Sequence, residues 1–133
     1  MSSLISGIHH VALKCNGTAE FEKTLDFYQN TLGLELVRSW GEGEKAGAML
    51  STGDGLLEVF ASGEPLPQGT IRHFALRTER VDDCVAAVRS AGYPITVEPK
   101  NVIIAADPPF PARIAFCVGP VGEEIEFFQE KAQ

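Results

Sequence analysis

The sequence predicts an α+β fold in which two β-α-β-β-β modules follow one another along a chain of 133 residues. Three observations lead to this prediction. A short motif recurs in both halves, an amphipathic helical segment ending at a glycine follows each copy, and strand-like segments follow each glycine. We therefore place modules at about residues 7–62 and 70–131 of a single domain spanning residues 1–133.

The repeated motif is the first strand of each module. Residues 8–13 (IHHVAL) recur as residues 71–76 (IRHFAL), with isoleucine, histidine, alanine and leucine matched. A second match lies near the end of each module, where residues 57–60 (LEVF) correspond to residues 125–128 (IEFF). Each match alone is weak, but both occur in the same order in the two halves. A duplicated module accounts for that order.

The helical segments come directly after the histidine strands. Residues 18–32 and 80–91 each carry apolar residues at spacings of three and four, which is typical of a helix with one buried face. Gly33 and Gly92 come just after these segments, and a left-handed glycine commonly ends a helix. The spacing therefore predicts one helix in each module.

Three further strands are predicted in each module. They cover residues 34–39, 48–51 and 56–61 in the first half, and residues 95–97, 113–118 and 124–129 in the second. The proline-rich segment 98–112 is predicted to be a long loop, of the kind that often closes over a binding site. Since neither module alone covers both faces of its sheet, we expect the modules to pair into one curved mixed sheet.

Composition excludes several classes of function. The net charge is −7 and no two Lys or Arg residues are adjacent, which disfavours nucleic-acid binding. No apolar run approaches the roughly 20 residues needed to cross a membrane, and residues 1–7 lack the pattern of a signal peptide. The three cysteines form no CxxC motif and indicate neither a disulfide framework nor a thiolate zinc site. We therefore expect free thiols and a cytoplasmic location.

Two glutamates stand in otherwise apolar strands, Glu58 in the first module and Glu126 in the second. An ionised carboxylate in such a place is costly unless it is paired or bound to a metal. His10 and His73 occupy matched positions in the first strands, so the module symmetry would bring two imidazoles and two carboxylates together. His9 faces the opposite side of its strand and is interpreted as structural. The alternative for all four residues is an ordinary hydrogen-bonded or edge position.

This ligand set suits Zn, Ni, Co, Mn or Fe(II). It contains too much nitrogen for Ca or Mg, and it lacks the thiolates of a closed structural zinc site. Four protein ligands on a six-coordinate ion would leave two positions for water or substrate. The sheet is therefore expected to surround one divalent metal ion that binds a small molecule.

The same residues resemble the vicinal oxygen chelate superfamily, which includes glyoxalase I, bleomycin-resistance proteins, fosfomycin-resistance enzymes, methylmalonyl-CoA epimerase and extradiol dioxygenases. The resemblance spans roughly residues 7–130. It is carried by residues 8–13, 25–28, 32–34, 57–59, 73–76 and 122–127. The order His, Glu, His, Glu is most similar to that of glyoxalase I.

The resemblance implies that His10, Glu58, His73 and Glu126 bind Zn or Ni, with Co, Mn or Fe as other choices. It further implies that Glu126 is the base of a lyase or isomerase that forms an enediolate from a small oxygenated substrate. Glu58 would then serve the opposite face of that substrate. Pairing of two chains, which is common among the relatives, implies a homodimer.

Three alternatives stay open at this stage. One is a metal-free binding protein of the bleomycin-resistance kind. Another is an Fe(II) dioxygenase, whose His, His, Glu triad would leave Glu58 unused, and a third is an epimerase, which usually has an amide at that position. Lys14 and Ser62 replace an arginine and an asparagine usual in the glutathione enzyme. These replacements argue against a glutathione adduct as the substrate.

Overall fold

The computed structural model describes residues 8–63, 73–104 and 108–131. The chain divides into two compact units, Met1–Pro65 and Leu66–Gln133. This division falls in the segment between the two predicted modules.

The first unit contains a four-stranded mixed sheet and one α-helix. Its elements are β1 (His10–Lys14), α1 (Thr18–Asp26), β2 (Glu35–Trp40), β3 (Gly47–Ser51) and β4 (Leu56–Phe60). The strand order is β1-β4-β3-β2. Strand β1 is parallel to β4, whereas the other neighbours are antiparallel.

The second unit repeats this topology. Its elements are β5 (Phe74–Arg77), α2 (Val81–Ser90), β6 (Ile95–Ile104), β7 (Phe110–Val118) and β8 (Glu124–Glu130). The strand order is β5-β8-β7-β6, again with one parallel pair, β5 with β8. The predicted α+β class with two β-α-β-β-β modules is therefore confirmed.

Alternation along the last strand of each unit separates a core face from a site face. In β4, Leu57 and Val59 are fully buried, and in β8 the corresponding Ile125 and Phe127 are buried as well. Helix α1 packs against β4 and helix α2 against β8. The glutamates of the motif lie between these core residues and so project from the other face of each sheet.

The first helix spans nearly the predicted residues but changes type along its length. The α-helix ends at Asp26 and continues as a π-helical turn, Phe27–Thr31, in which the Leu32 N–H donates to the Phe27 carbonyl at 3.1 Å. Because the wider turn changes the angle between successive side chains, the adjacent Phe27 and Tyr28 are both buried. Gly33 then ends the segment with the expected positive φ of 79°.

The predicted loop at residues 98–112 is wrong for most of its length. Strand β6 extends to Ile104, and β7 begins at Phe110 and pairs with it as a hairpin. A proline was expected to exclude a strand, but β6 is an edge strand whose register shifts between Val97 and Lys100, on either side of Pro99. Such positions tolerate a missing N–H. Most of this segment is therefore a β-hairpin and does not form the long loop that was expected to close over a binding site. Residues 105–107 lie outside the described residues.

Candidate metal centre

In the first unit, the structure brings His10 and Glu58 together. Glu58 on β4 lies directly opposite Ala12 on β1, and His10 lies two residues before Ala12 on the same face. The His10 imidazole reaches diagonally across the strand pair toward Glu58. As a result, His10 Nε2 lies 3.4 Å from Glu58 Oε1.

The second unit contains the same arrangement. Glu126 on β8 lies opposite Ala75 on β5, and His73 precedes that strand. His73 Nε2 lies 3.2 Å from Glu126 Oε1. The alanine matched in both copies of the motif thus lies opposite the glutamate in both units.

Both pairs combine a partly exposed imidazole with a largely buried carboxylate. The His10 and Glu58 side chains are 40% and 14% exposed, and those of His73 and Glu126 are 39% and 12% exposed. Burial raises the pKa of Glu126, while the neighbouring His73 opposes this rise. A carboxylate with a raised pKa is a stronger base than an exposed one, although an attached metal ion would alter this balance.

The separations within each pair fit two neighbouring ligands of one ion. Ligand atoms about 2.1 Å from a common metal lie roughly 3.0 Å apart at a right angle and roughly 3.4 Å apart at the tetrahedral angle. The observed distances of 3.4 Å and 3.2 Å fall in this range. Within the described residues, however, no group of three or more His, Cys, Asp or Glu side chains forms a metal-binding cluster. Convergence of the two pairs on one ion stays a prediction.

His9 contacts the candidate ligand His10, which the sequence analysis did not anticipate. Its Nδ1 lies 3.0 Å from His10 Nδ1, and the two rings meet edge to face with centroids 5.3 Å apart. The alternation rule fails here because β1 begins only at His10. A ring that binds metal through Nε2 carries its proton on Nδ1, so His9 is placed to accept that proton in a hydrogen bond.

Replacing His9 with phenylalanine should therefore weaken Zn or Ni binding. The ring packing is kept but the acceptor for His10 is lost, and losing such an outer partner typically costs roughly 10- to 100-fold in affinity. Isothermal titration of the metal-free protein measures this loss. His9→Asn, which can still present an acceptor, is the matched control and should bind nearly as wild type does. Equal affinities for His9→Phe and wild type would refute this role.

The cysteines lie outside this chemistry. None of the three forms a disulfide, and Cys15 and Cys117 are buried. Burial is the main cause that raises the pKa of the Cys117 thiol to about 12. At neutral pH this thiol is neutral and a poor nucleophile or metal ligand.

Comparison with known proteins identifies the family. The family model of the Glyoxalase/Bleomycin resistance protein/Dioxygenase superfamily matches residues 7–127. The chain belongs to this superfamily. A search of curated proteins found no match.

Several solved structures share the superfamily fold. TnmS3, an antibiotic-binding protein from a Streptomyces species, is 23% identical with a TM-score of 0.70, covering 98% of this chain and 100% of that one. The fosfomycin resistance protein FosX from Listeria monocytogenes is 18% identical with a TM-score of 0.70, covering 96% of each chain. A superfamily protein from Alicyclobacillus acidocaldarius is 17% identical with a TM-score of 0.68, covering 95% and 92%. At these identities the likeness shows the fold alone.

The sequence analysis found no apolar run long enough to cross a membrane. Among the described residues, neither helix is long and apolar enough to span a membrane. The predictions of a cytoplasmic location and of no nucleic-acid partner stay predictions.

Proposed function

We propose that this protein is a metal-dependent lyase or isomerase of the glyoxalase I type, acting on a small oxygenated substrate. The observation that carries the proposal is the duplicated His–Glu pair, with nearly equal nitrogen to oxygen distances at matched strand positions. Each pair places a largely buried carboxylate beside a partly exposed imidazole, which is an arrangement suited to two neighbouring metal ligands. Superfamily membership supports the proposal, since the superfamily includes enzymes.

In this proposal His10, Glu58, His73 and Glu126 hold one divalent ion, with Zn and Ni as the first choices and Co, Mn or Fe as the others. When bound, the ion would act as a Lewis acid toward the substrate oxygens. The two nitrogens and two oxygens are borderline donors that suit these metals. Both imidazoles have one exposed edge, which gives a substrate access to the pairs.

The protein's own carboxylates would move the proton. Glu126, whose pKa is raised by burial, would take a proton from a carbon beside a carbonyl group and return it to the adjacent carbon. His73, which opposes the rise in the pKa of Glu126, would help to keep this carboxylate available as an acceptor between the two transfers. Glu58 would transfer a proton in the same way on the opposite face of the substrate. Reaction on that face would give the other stereochemical outcome.

A second candidate is a metal-free binding protein. It is favoured by the aromatic residues around the second pair, where the Phe116 ring lies 5.2 Å from the His73 ring and Phe110 lies 6.5 Å from Phe128. The likeness to an antibiotic-binding protein is compatible with this candidate. An epimerase or an Fe(II) dioxygenase would use the same pairs, the latter leaving Glu58 without a role.

Metal content and turnover test these candidates. Plasma mass spectrometry of untagged protein should find about one equivalent of a divalent metal. The loaded protein is then assayed with methylglyoxal and a set of thiols, of which glutathione is one. Turnover of any hemithioacetal supports the lyase, whereas bound iron with oxygen consumption supports the dioxygenase. Absence of metal after incubation with each ion would overturn the proposal in favour of the binding protein.

We further propose that the protein is a homodimer. Light scattering at micromolar concentration should give twice the 14.4 kDa of one chain. A mass of one chain under these conditions would contradict the dimer without affecting the proposed chemistry.

A further inference from the structure

The site face of the first sheet is organised in rows that cross all four strands. In strand order from β1 to β2, one row contains Ala12, Glu58, Met49 and Arg38, and the next contains Lys14, Phe60, Gly47 and Trp40. Directly paired residues project from the same face of a sheet. The second row thus places two aromatic rings and a lysine one row away from Glu58, at roughly 7 Å along the strand.

A β-bulge turns two residues of β2 toward this face. The register shifts between Leu36 and Arg38, so that Val37 is an extra residue in the strand. Without this insertion, simple alternation from Glu35 would send Arg38 and Trp40 to the face that carries the core. Bulges often re-aim side chains beside functional sites. Here the bulge adds a guanidinium and an indole to the face that holds Glu58.

Gly47 allows the indole to lie against the sheet. A Cβ at this position would come within 2.4 Å of Cε2 and Cζ2 of Trp40. Gly47 has no positive φ, so the backbone itself does not demand glycine there. The Trp40 ring lies 6.0 Å from the Phe60 ring at 66°, yet Trp40 is still 37% exposed. The pair is thus held in place while remaining accessible.

The corresponding row of the second unit shows that the fold does not require this arrangement. That row contains Arg77, Phe128, Ile114 and Lys100. The cation and the phenylalanine are repeated, but isoleucine occupies the place of Gly47 and lysine the place of Trp40. The glycine and tryptophan combination is therefore particular to the first unit.

A basic side chain lies next to each ring of the aromatic pair. Lys14 lies opposite Phe60, and Arg38 lies two residues before Trp40. Both are exposed, and neither forms an ion pair with another residue in the described ranges. Two such cations in a chain of net charge −7 favour an anionic ligand at this position. Arginine also suits the planar geometry of a carboxylate.

We propose that Trp40 and Phe60 bind an aromatic group of the substrate, whose carboxylate is bound by Arg38. The substrate class is thus a small aromatic carboxylate. This inference rests on the proposed function, because the row beside it holds Glu58, where the reacting carbons would lie. Trp40 and Arg38 are specificity-determining residues and take no part in the proton transfer.

Binding of 2-naphthoate tests this proposal in metal-free and metal-loaded protein. The chain has one tryptophan, so its emission reports on Trp40 alone. We expect saturable quenching by 2-naphthoate, weaker binding of the neutral 2-naphthalenemethanol and no response to cyclohexanecarboxylate. Calorimetry should show that Trp40→Leu lowers the affinity roughly 10-fold, the upper range for one lost aromatic contact. Arg38→Gln should weaken naphthoate binding but not naphthalenemethanol binding.

Gly47→Ala is the sharpest variant, because it leaves every candidate contact residue in place. The added methyl group should displace the indole, shift its emission to longer wavelength and lower naphthoate affinity as Trp40→Leu does. Leu36→Ala is the matched control, since Leu36 lies on the same strand as Trp40 but pairs with Leu50 on the core face. Circular dichroism checks that each variant is folded.

The outcomes separate this inference from the proposed function. Metal binding without naphthoate binding would overturn the aromatic site and leave the lyase standing. Naphthoate binding that depends on Trp40 and Gly47, in protein that binds no metal, would support the aromatic site and overturn the lyase. Naphthoate binding unchanged in both variants would also refute the site proposed here.

Discussion

Replacing His73 with alanine should abolish tight binding of Zn or Ni. The variant lacks the imidazole that lies 3.2 Å from Glu126 and leaves that carboxylate as a lone ligand in its unit. Loss of an outer partner alone costs roughly 10- to 100-fold in affinity, so loss of the ligand itself should cost roughly 100-fold or more. Calorimetric titration of metal-free protein measures the affinity, and plasma mass spectrometry measures the metal retained.

A matched substitution in the other unit makes this experiment decisive. If the two pairs hold one ion, His10→Ala and His73→Ala should each lose the same single equivalent. If each pair binds its own ion, either variant should retain one of two equivalents. Arg80→Ala, which removes an exposed arginine paired with Asp83, serves as the control and should bind as wild type does. Retention of full affinity in His73→Ala would refute the metal centre.

The free energy of unfolding provides an independent measurement of metal binding. A ligand present at 100 times its dissociation constant stabilises the folded state by about 2.7 kcal/mol. Zn or Ni should therefore raise the free energy of unfolding of the wild type by about this amount and leave His73→Ala nearly unchanged.

The internal repeat made the fold and both His–Glu pairs predictable. A glutamate between two buried apolar residues of the last strand is a pattern that burial alone would select against, and it occurred twice. The matched alanines Ala12 and Ala75 carried further information. They lie opposite the glutamates in both units, so the repeat preserved the strand register of each pair as well as its ligands.

Features that break a regular period were not predictable from the sequence. The π-helical turn at Phe27–Thr31 and the bulge beside Val37 each insert one residue into a regular pattern, and periodicity assumes that no such insertion occurs. Pro99 was misleading because only the tertiary position of β6 at a sheet edge makes a proline acceptable. The contact between His9 and His10 arises at a strand end, where alternation no longer applies.

Whether the two His–Glu pairs bind one shared ion does not follow from the sequence repeat. A repeat specifies what each module contains, whereas one shared ion depends on how two modules meet. The structure supports the pairs individually through their distances and burial. The comparison of His10→Ala with His73→Ala is therefore the experiment that links the sequence symmetry to a single centre.

Glu126→Gln should remove most of the catalytic activity. The substitution keeps the size of the side chain but removes the group that accepts the proton, and a positioned general base typically contributes roughly 10²- to 10⁴-fold to the rate. Steady-state assays of the metal-loaded variant with the best hemithioacetal should show this loss in kcat. Metal content is measured on the same sample, so that a failure to bind metal is distinguished from the loss of a base.

Glu58→Gln provides the matched comparison, because the Glu58 carboxylate is paired with a histidine of its own, His10, and would act on the other face of the substrate. If Glu126 is the base on one face of the substrate, a substrate that reacts only on that face should be turned over faster by Glu58→Gln than by Glu126→Gln. Equal losses in the two variants, with metal retained, would assign a proton transfer to each carboxylate. Wild-type activity in Glu126→Gln would show that the buried carboxylate serves only as a ligand, because an amide oxygen can bind a metal but cannot accept the proton.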